Sequence, residues 1–198
     1  MIASFFYNFT SNLKTLIVKL LLLLLALPMI CFGQNVNIPD ANFKAYLVNN
    51  KAINTNRDKE IQVSEASAFN GAIQCSDMNI SNLRGIEAFT ALTELYCSIN
   101  QLTSLDVSKN NALTILSCVN NILISLDVSK NIALTILHCD DNKLKSLDVS
   151  KNTALTDLYC EGNQLTSLDV SKNTTLTSLS CWGNQFDCDA LISKYGID

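Results

Sequence analysis

The chain has 198 residues, 8 of them cysteine, with 14 basic and 18 acidic side chains and a formal net charge of −4. That acidic balance excludes a nucleic-acid binder working through phosphate contacts, and the length suits a single domain. Hydrophobic residues make up 48% of the chain, and a regular spacing of leucine accounts for most of that share.

Lys14 and Lys19 precede an uncharged apolar run from Leu20 to Phe32, followed by Gly33 and a polar stretch from Gln34. At 13 residues the run is too short to span a bilayer and matches the apolar region of a secretory signal peptide. Residues 1–33 are therefore expected to be a signal peptide, with cleavage near Gly33 that also removes Cys31. Anchoring by lipid at Cys31 is disfavoured, because Ile30 stands where such processing prefers a small residue. Loss of the two lysines leaves 12 basic and 18 acidic residues, a net charge near −6. The mature chain is expected to have no transmembrane segment, to be secreted or held on the surface of a bacterium, and to be a monomer.

Residues 34–74 lack the later repeat and read as a helical N-terminal cap. Asp40 is placed as an N-cap or first-turn acid of a helix around Ala41 to Val48, whose Phe43, Tyr46 and Leu47 form one apolar face. A second helix is expected over Glu65 to Phe69. Between them, NTNRDKEIQVSE, from Asn54, resembles the twelve-residue calcium loop of an EF-hand. Asn54, Asn56, Asp58, Glu60 and Glu65 stand at positions one, three, five, seven and twelve, and Ile61 at eight. The resemblance implies one calcium ion on those five residues. Two departures oppose it: asparagine at position one removes a charged ligand, and Lys59 replaces the glycine of the sharp turn. Without an ion the same stretch reads as a cap packed through Ile61.

Residues 75–185 carry the dominant pattern. A 21-residue block begins at Leu92, Leu113, Leu134, Leu155 and Leu176, the first reading LTELYCSINQLTSLDVSKNNA and the last truncated. Each copy opens L-x-x-L-x-C-x-x-N-x-L, and an irregular earlier copy places Cys75 at the cysteine position. Leu95 and Cys97 alternate with Glu94, Tyr96 and Ser98, the period-two signature of a strand with one buried face. A unit this short cannot enclose its own apolar side, so copies must stack into a parallel sheet with strands about 4.8 Å apart. The predicted fold is a right-handed, curved solenoid with little helix, and the pattern resembles the leucine-rich repeat family. Residues 186–198 read as a C-terminal cap, with a short helix across Phe186 to Tyr195.

Leucines and cysteines are assigned to the interior, and Asn100, Asn121, Asn142, Asn163 and Asn184 to a slot where a buried amide serves both a carbonyl and an N–H. Asp106, Asp127, Asp148 and Asp169 are expected to cap local turns, with Lys109, Lys130, Lys151 and Lys172 balancing them. In-register cysteines point in parallel, which opposes disulfides between rungs and supplies no metal cage. Cys75, Cys97, Cys118, Cys139, Cys160 and Cys181 are therefore expected as buried free thiols. Pairing of Cys181 with Cys188 stays open.

The outward positions differ from copy to copy. They form three columns: Glu94, Ile115, Ile136, Asp157 and Ser178; Tyr96, Ser117, His138, Tyr159 and Ser180; Ser98, Val119, Asp140, Glu161 and Trp182. Variation on a rigid sheet is how solenoids present a binding surface. Tyr96, His138, Asp140, Asp157, Tyr159, Glu161 and Trp182 are the candidate contacts for an extracellular protein, peptide or glycan. Against this, the tyrosines could simply shield the sheet. An enzyme is not expected: His138 is the sole histidine, no nucleophile has a base, and Cys139 faces inward where His138 faces outward. The alternative function is a structural or matrix protein stabilised by calcium at its cap.

The NIPDANFKAYL opening, the calcium-like loop and the terminal QFDCDALISKYG together are similar to secreted leucine-rich repeat proteins of Bacteroidetes-type bacteria. That resemblance implies export. Such proteins often end in a C-terminal sorting domain; residues 186–198 are expected to be a cap instead, which leaves released and surface-held forms both open.

Overall fold

Six three-residue strands follow one another in chain order and pair side by side in a single parallel sheet. They are β1 (Ala72–Gln74), β2 (Glu94–Tyr96), β3 (Ile115–Ser117), β4 (Ile136–His138), β5 (Asp157–Tyr159) and β6 (Ser178–Ser180). The computed structural model describes residues 33–197, so the segment read as a signal peptide, with Cys31, lies outside the described residues. From Asn35 onward the chain forms one compact unit. Registers are unbroken: Leu95, Leu116, Leu137, Leu158 and Leu179 face one another in turn. The step from β2 onward equals the sequence period, and β1 stands 22 residues before β2. The sheet therefore begins at Ala72, inside the stretch assigned to the cap by composition.

Each strand is buried at its middle residue, and β2 to β6 are half-buried on either side, whereas β1 ends on the exposed Gln74. The leucines of every copy and the five cysteines from Cys75 to Cys160 are buried in one continuous core. Two residues after each ladder cysteine the backbone turns through a left-handed residue, at Asp77, Ile99, Asn120, Asp141, Gly162 and Gly183, with φ between 50° and 66°. At the fifth of these glycine avoids both the left-handed strain and a Cβ against the Asp141 carboxylate, which would have to move aside for a larger residue.

The turn inward is secured by asparagine. Asn142 donates from Nδ2 to the carbonyls of Cys118, Cys139 and Asp140 at 3.0, 3.2 and 3.0 Å, and its Oδ1 accepts from the Leu123 N–H at 3.0 Å. One side chain thus ties its own rung to the preceding one. Asn121 and Asn163 repeat the set, as do Asn100 and Asn184 at the ends. A second asparagine row, Asn110, Asn131, Asn152 and Asn173 of the S-K-N turn, is also buried and donates to two carbonyls each. In this row each Oδ1 lacks a donor. Threonines starting the strands add a further tie, Thr135 Oγ1 donating to the Thr114 carbonyl at 3.1 Å.

Asp106, Asp127, Asp148 and Asp169 accept from the N–H of the serine two residues on, at 2.9 Å. Hydrogen bonds from that serine hold all four carboxyls below the usual carboxylate range, and the neighbouring lysines assist. The expectation of turn-capping aspartates is met, while none of them forms an ion pair with its lysine.

The N-terminal end is covered by α1 (Ala41–Asn49) and α2 (Val63–Ala68), the second starting and ending earlier than the sequence suggested. Phe43 and Leu47 are buried, while the Tyr46 hydroxyl accepts from the Gln74 N–H at 2.8 Å and so terminates the edge of β1. Asp40 Oδ1 caps α1 through Asn42 and Phe43, and its Oδ2 accepts from the N–H and hydroxyl of Ser81, which fastens the cap to the first repeat. Burial pushes the Asp40 carboxyl up, but these donors outweigh it and leave it low.

At the other end α3 (Cys188–Tyr195) is capped by Asp187 and closed by Gly196 in the left-handed conformation. A disulfide joins Cys188 to Cys181, with Cα atoms 5.6 Å apart. This corrects the expectation of a free thiol at Cys181. The reasoning from in-register neighbours holds along the ladder and stops at its last member, whose partner comes from the cap.

The two asparagine rows predict unequal costs. Asn142→Ala strands an N–H and loses three carbonyl partners, so it should lower stability by about 3 kcal/mol. Asn131→Ala also removes an oxygen that had no donor, and should cost less by about 1 kcal/mol or more. Urea unfolding of the two variants measures the difference.

Candidate functional site

On the sheet's solvent side, the register brings the variable residues together. His138 faces Tyr159 across β4 and β5, and their rings stack with centroids 4.4 Å apart and planes 8° from parallel. The Tyr159 hydroxyl shares a 3.1 Å hydrogen bond with the Ser178 hydroxyl. Trp182, just beyond β6, is 43% exposed. Tyr96 stands apart on β2, its hydroxyl donating to Glu94 at 3.0 Å.

The carboxylates are oriented by neutral donors. Asp140 Oδ1 accepts from the Glu161 N–H at 3.0 Å, Asp157 Oδ2 from the Thr156 hydroxyl at 2.6 Å, and Glu161 Oε2 from the Ser180 hydroxyl at 3.0 Å. Partial burial pushes the Asp140 carboxyl above its usual range, offset in part by that N–H and by His138. Of the seven candidate contacts, six lie on or beside β4 to β6 and one, Tyr96, on β2. No described group of three or more His, Cys, Asp or Glu residues is arranged to hold a metal.

The calcium-like loop is built differently from the sheet face. Asp58 Oδ1 accepts from the Glu60 N–H, and Oδ2 from the side-chain amides of Asn56 and Gln62. Glu65 Oε1 accepts from the N–H groups of Thr55 and Asn56, and Oε2 from the Gln62 N–H. Both Glu60 oxygens bind Lys44, at 2.7 and 2.8 Å. In this arrangement the oxygens that would serve a cation are engaged by N–H donors. Asn54 is the exception: it is 2% exposed, donates to the Val48 and Asp58 carbonyls, and leaves Oδ1 without a partner.

The cysteine ladder forms no reactive site. Desolvation pushes the thiols of Cys75, Cys118 and Cys160 up to about 12 and those of Cys97 and Cys139 well above their ordinary value. Thiolate, the nucleophile and metal ligand, is thereby suppressed.

Sequence reasoning passed over exposed isoleucines, among them Ile99, Ile122 and Ile124, which are 52%, 39% and 64% exposed. Their signal was available: at 122 and 124 isoleucine stands where the other full copies carry glutamine or lysine and threonine or lysine.

The architecture is similar to that of the functional domain of InlJ from Listeria monocytogenes, which includes a cysteine ladder. The two share 35% identity over 77% of this chain and 39% of that one, with a TM-score of 0.62. This chain is a leucine-rich repeat solenoid. An internalin, InlF of the same species, shows the same fold at 20% identity, with a TM-score of 0.69 over 80% of this chain and 47% of that one. The ectodomain of the receptor kinase SOBIR1 from Arabidopsis thaliana has the fold too, at 20% identity and a TM-score of 0.51 over 58% of this chain and 69% of that one. The solenoid spans less than half the length of either Listeria structure. No protein-family model and no curated protein matches it. Among its described residues no helix is long and apolar enough to cross a membrane.

Burial and bonding of the cysteines make a direct prediction. Under native conditions iodoacetamide should leave Cys75, Cys97, Cys118, Cys139 and Cys160 unmodified; denaturant alone should expose all five, and Cys181 and Cys188 should label only after reduction, as read by peptide mass mapping.

Proposed function

We propose that this solenoid is a non-catalytic, extracellular recognition module that binds a protein or glycan through the solvent face of its sheet. The observation that carries the reading is the contrast between the two sides of one strand set. Inward residues repeat from rung to rung, whereas the outward columns change at nearly every rung and gather His138, Tyr159, Trp182, Asp140, Asp157 and Glu161 at one end. Aromatic side chains with polar edges supply large contact area at low entropic cost, which suits partner recognition. The InlJ region that resembles this chain is that protein's functional domain, and the Cys181–Cys188 disulfide fits an oxidising, extracellular setting. The sheet presents an open surface without an activated nucleophile, and the solitary histidine is spent on a stack with Tyr159.

A second reading concerns the cap. The buried, donorless Oδ1 of Asn54 at the first position of the loop favours calcium there, although binding would require Asp58 and Glu65 to exchange N–H donors for the ion. Thermal unfolding of chelated protein, repeated with millimolar calcium, tests it: an upward shift supports the ion, and identical melts leave the loop as a hydrogen-bonded cap.

For the recognition reading, Tyr159→Ala and Trp182→Ala should each weaken capture of a bound protein or glycan by about 30-fold, the scale of an interface hot spot. Their unfolding midpoints should stay close to the parent's. Affinity unchanged in both variants would count against the sheet face as the binding surface.

A further inference from the structure

The sheet face carries a second regularity, one of charge. Its three columns contain Glu94, Asp140, Asp157, Glu161 and one histidine, with no lysine or arginine. Each of the four carboxylates is held by a neutral donor: a tyrosine hydroxyl, a backbone N–H, a threonine hydroxyl and a serine hydroxyl. None has a cation. Among the described residues the one ion pair is Lys44–Glu60, in the cap. The aspartates of the turn row contrast with this, since each of them has a lysine three residues on. The protein therefore balances charge along its turns and leaves it unbalanced across the sheet.

Three of the four unbalanced carboxylates, Asp140, Asp157 and Glu161, lie on or just after β4 and β5, where His138 stacks on Tyr159 and Trp182 is exposed nearby. Carboxylates beside flat aromatic rings select for a group that is cationic, planar and cheaply dehydrated. Guanidinium meets all three requirements: it pairs with carboxylate in a two-pronged fashion, stacks on aromatic faces, and is less strongly hydrated than ammonium. A neutral sugar could use the rings but would leave the charge uncompensated.

Building on the recognition reading, we propose that the partner is an arginine-bearing, extended peptide segment, bound across β4 to β6, where Asp157 on one side and Asp140 and Glu161 on the other flank the column of the His138–Tyr159 stack, with Trp182 on the next rung. Partial burial already holds the Asp140 carboxyl above its ordinary range, and an arriving cation lowers the cost of keeping that charge half out of water.

Fluorescence anisotropy of the purified protein with labelled peptides of equal length tests this, using peptides that alternate serine with arginine, lysine, glutamate or glycine. The arginine peptide should bind tightest, ahead of lysine, with affinity falling as salt rises. Asp157→Asn combined with Glu161→Gln keeps the side-chain shapes and should weaken arginine-peptide binding by about tenfold or more. Asp127→Asn combined with Asp148→Asn, which changes the turn row by the same charge, should leave it unchanged. Equal binding of the glycine or glutamate peptide, or equal loss in both double variants, would overturn the arginine assignment.

A glycan array and a panel of extracellular proteins, run in parallel, separate this failure from the broader one. A ligand lost in Tyr159→Ala and Trp182→Ala but indifferent to the carboxamide changes keeps the recognition reading and removes the arginine partner. Absence of any ligand in every arm removes both.

Discussion

The fold depends on one recurring transaction: a buried asparagine amide that donates to carbonyls of two rungs and accepts an N–H from the earlier one. A solenoid turn must bring its backbone inward at each corner, and an unpaired peptide group there would cost about 1 to 3 kcal/mol. Asn121, Asn142 and Asn163 satisfy those groups with a single side chain each, and in doing so they fix the register between neighbours. Leucine supplies the driving force by burial, but burial is non-directional. The amide decides which leucine meets which.

Once the register is set, the interior must repeat. Each interior cysteine has cysteines above and below it within the leucine core, so a small apolar side chain of constant size is what the stack accepts. The thiols are consequently desolvated and kept protonated, which makes the ladder a packing element despite its chemistry. The ends break the translation and need other solutions. At the first strand a tyrosine hydroxyl from α1 meets a free backbone N–H; at the last, α3 is fastened by a disulfide that uses the final member of the ladder.

Much of this was legible in the residues, because a period of 21 converts sequence positions directly into neighbours. The sheet, the buried leucines and cysteines, the asparagines from Asn100 to Asn184 and the turn aspartates all follow from it. What escaped had one of two causes. Asn110, Asn131, Asn152 and Asn173 are as constant as the first row, yet they sit beside lysine and serine in a turn that reads as exposed; their burial comes from the rung stacking closing over that turn. The start of the sheet at Ala72, the Cys181–Cys188 bond and the engagement of Glu60 by Lys44 all depend on how the nonrepeating ends fold back, and no period reports on that. In the candidate site, register alone placed His138 beside Tyr159, whereas the stacking of their rings and the neutral donors on each carboxylate required coordinates.

Charge distribution connects the scaffold to what it can recognise. The turn row repeats Asp and Lys together, so stacking copies of it adds no net charge to that surface. The outward columns lie under no such requirement, because they point away from the stacked core and contribute little to register. Four carboxylates have gathered there without a lysine or arginine partner, one of them half-buried at an electrostatic cost. A scaffold held by leucine and asparagine can carry that cost, because the interactions fixing its register lie on the opposite side of the strand. The same separation explains why aromatic rings at 138, 159 and 182 can vary from the serine and valine of other rungs without disturbing the stack: the residues that fix the fold and those free to vary alternate along the same short strands.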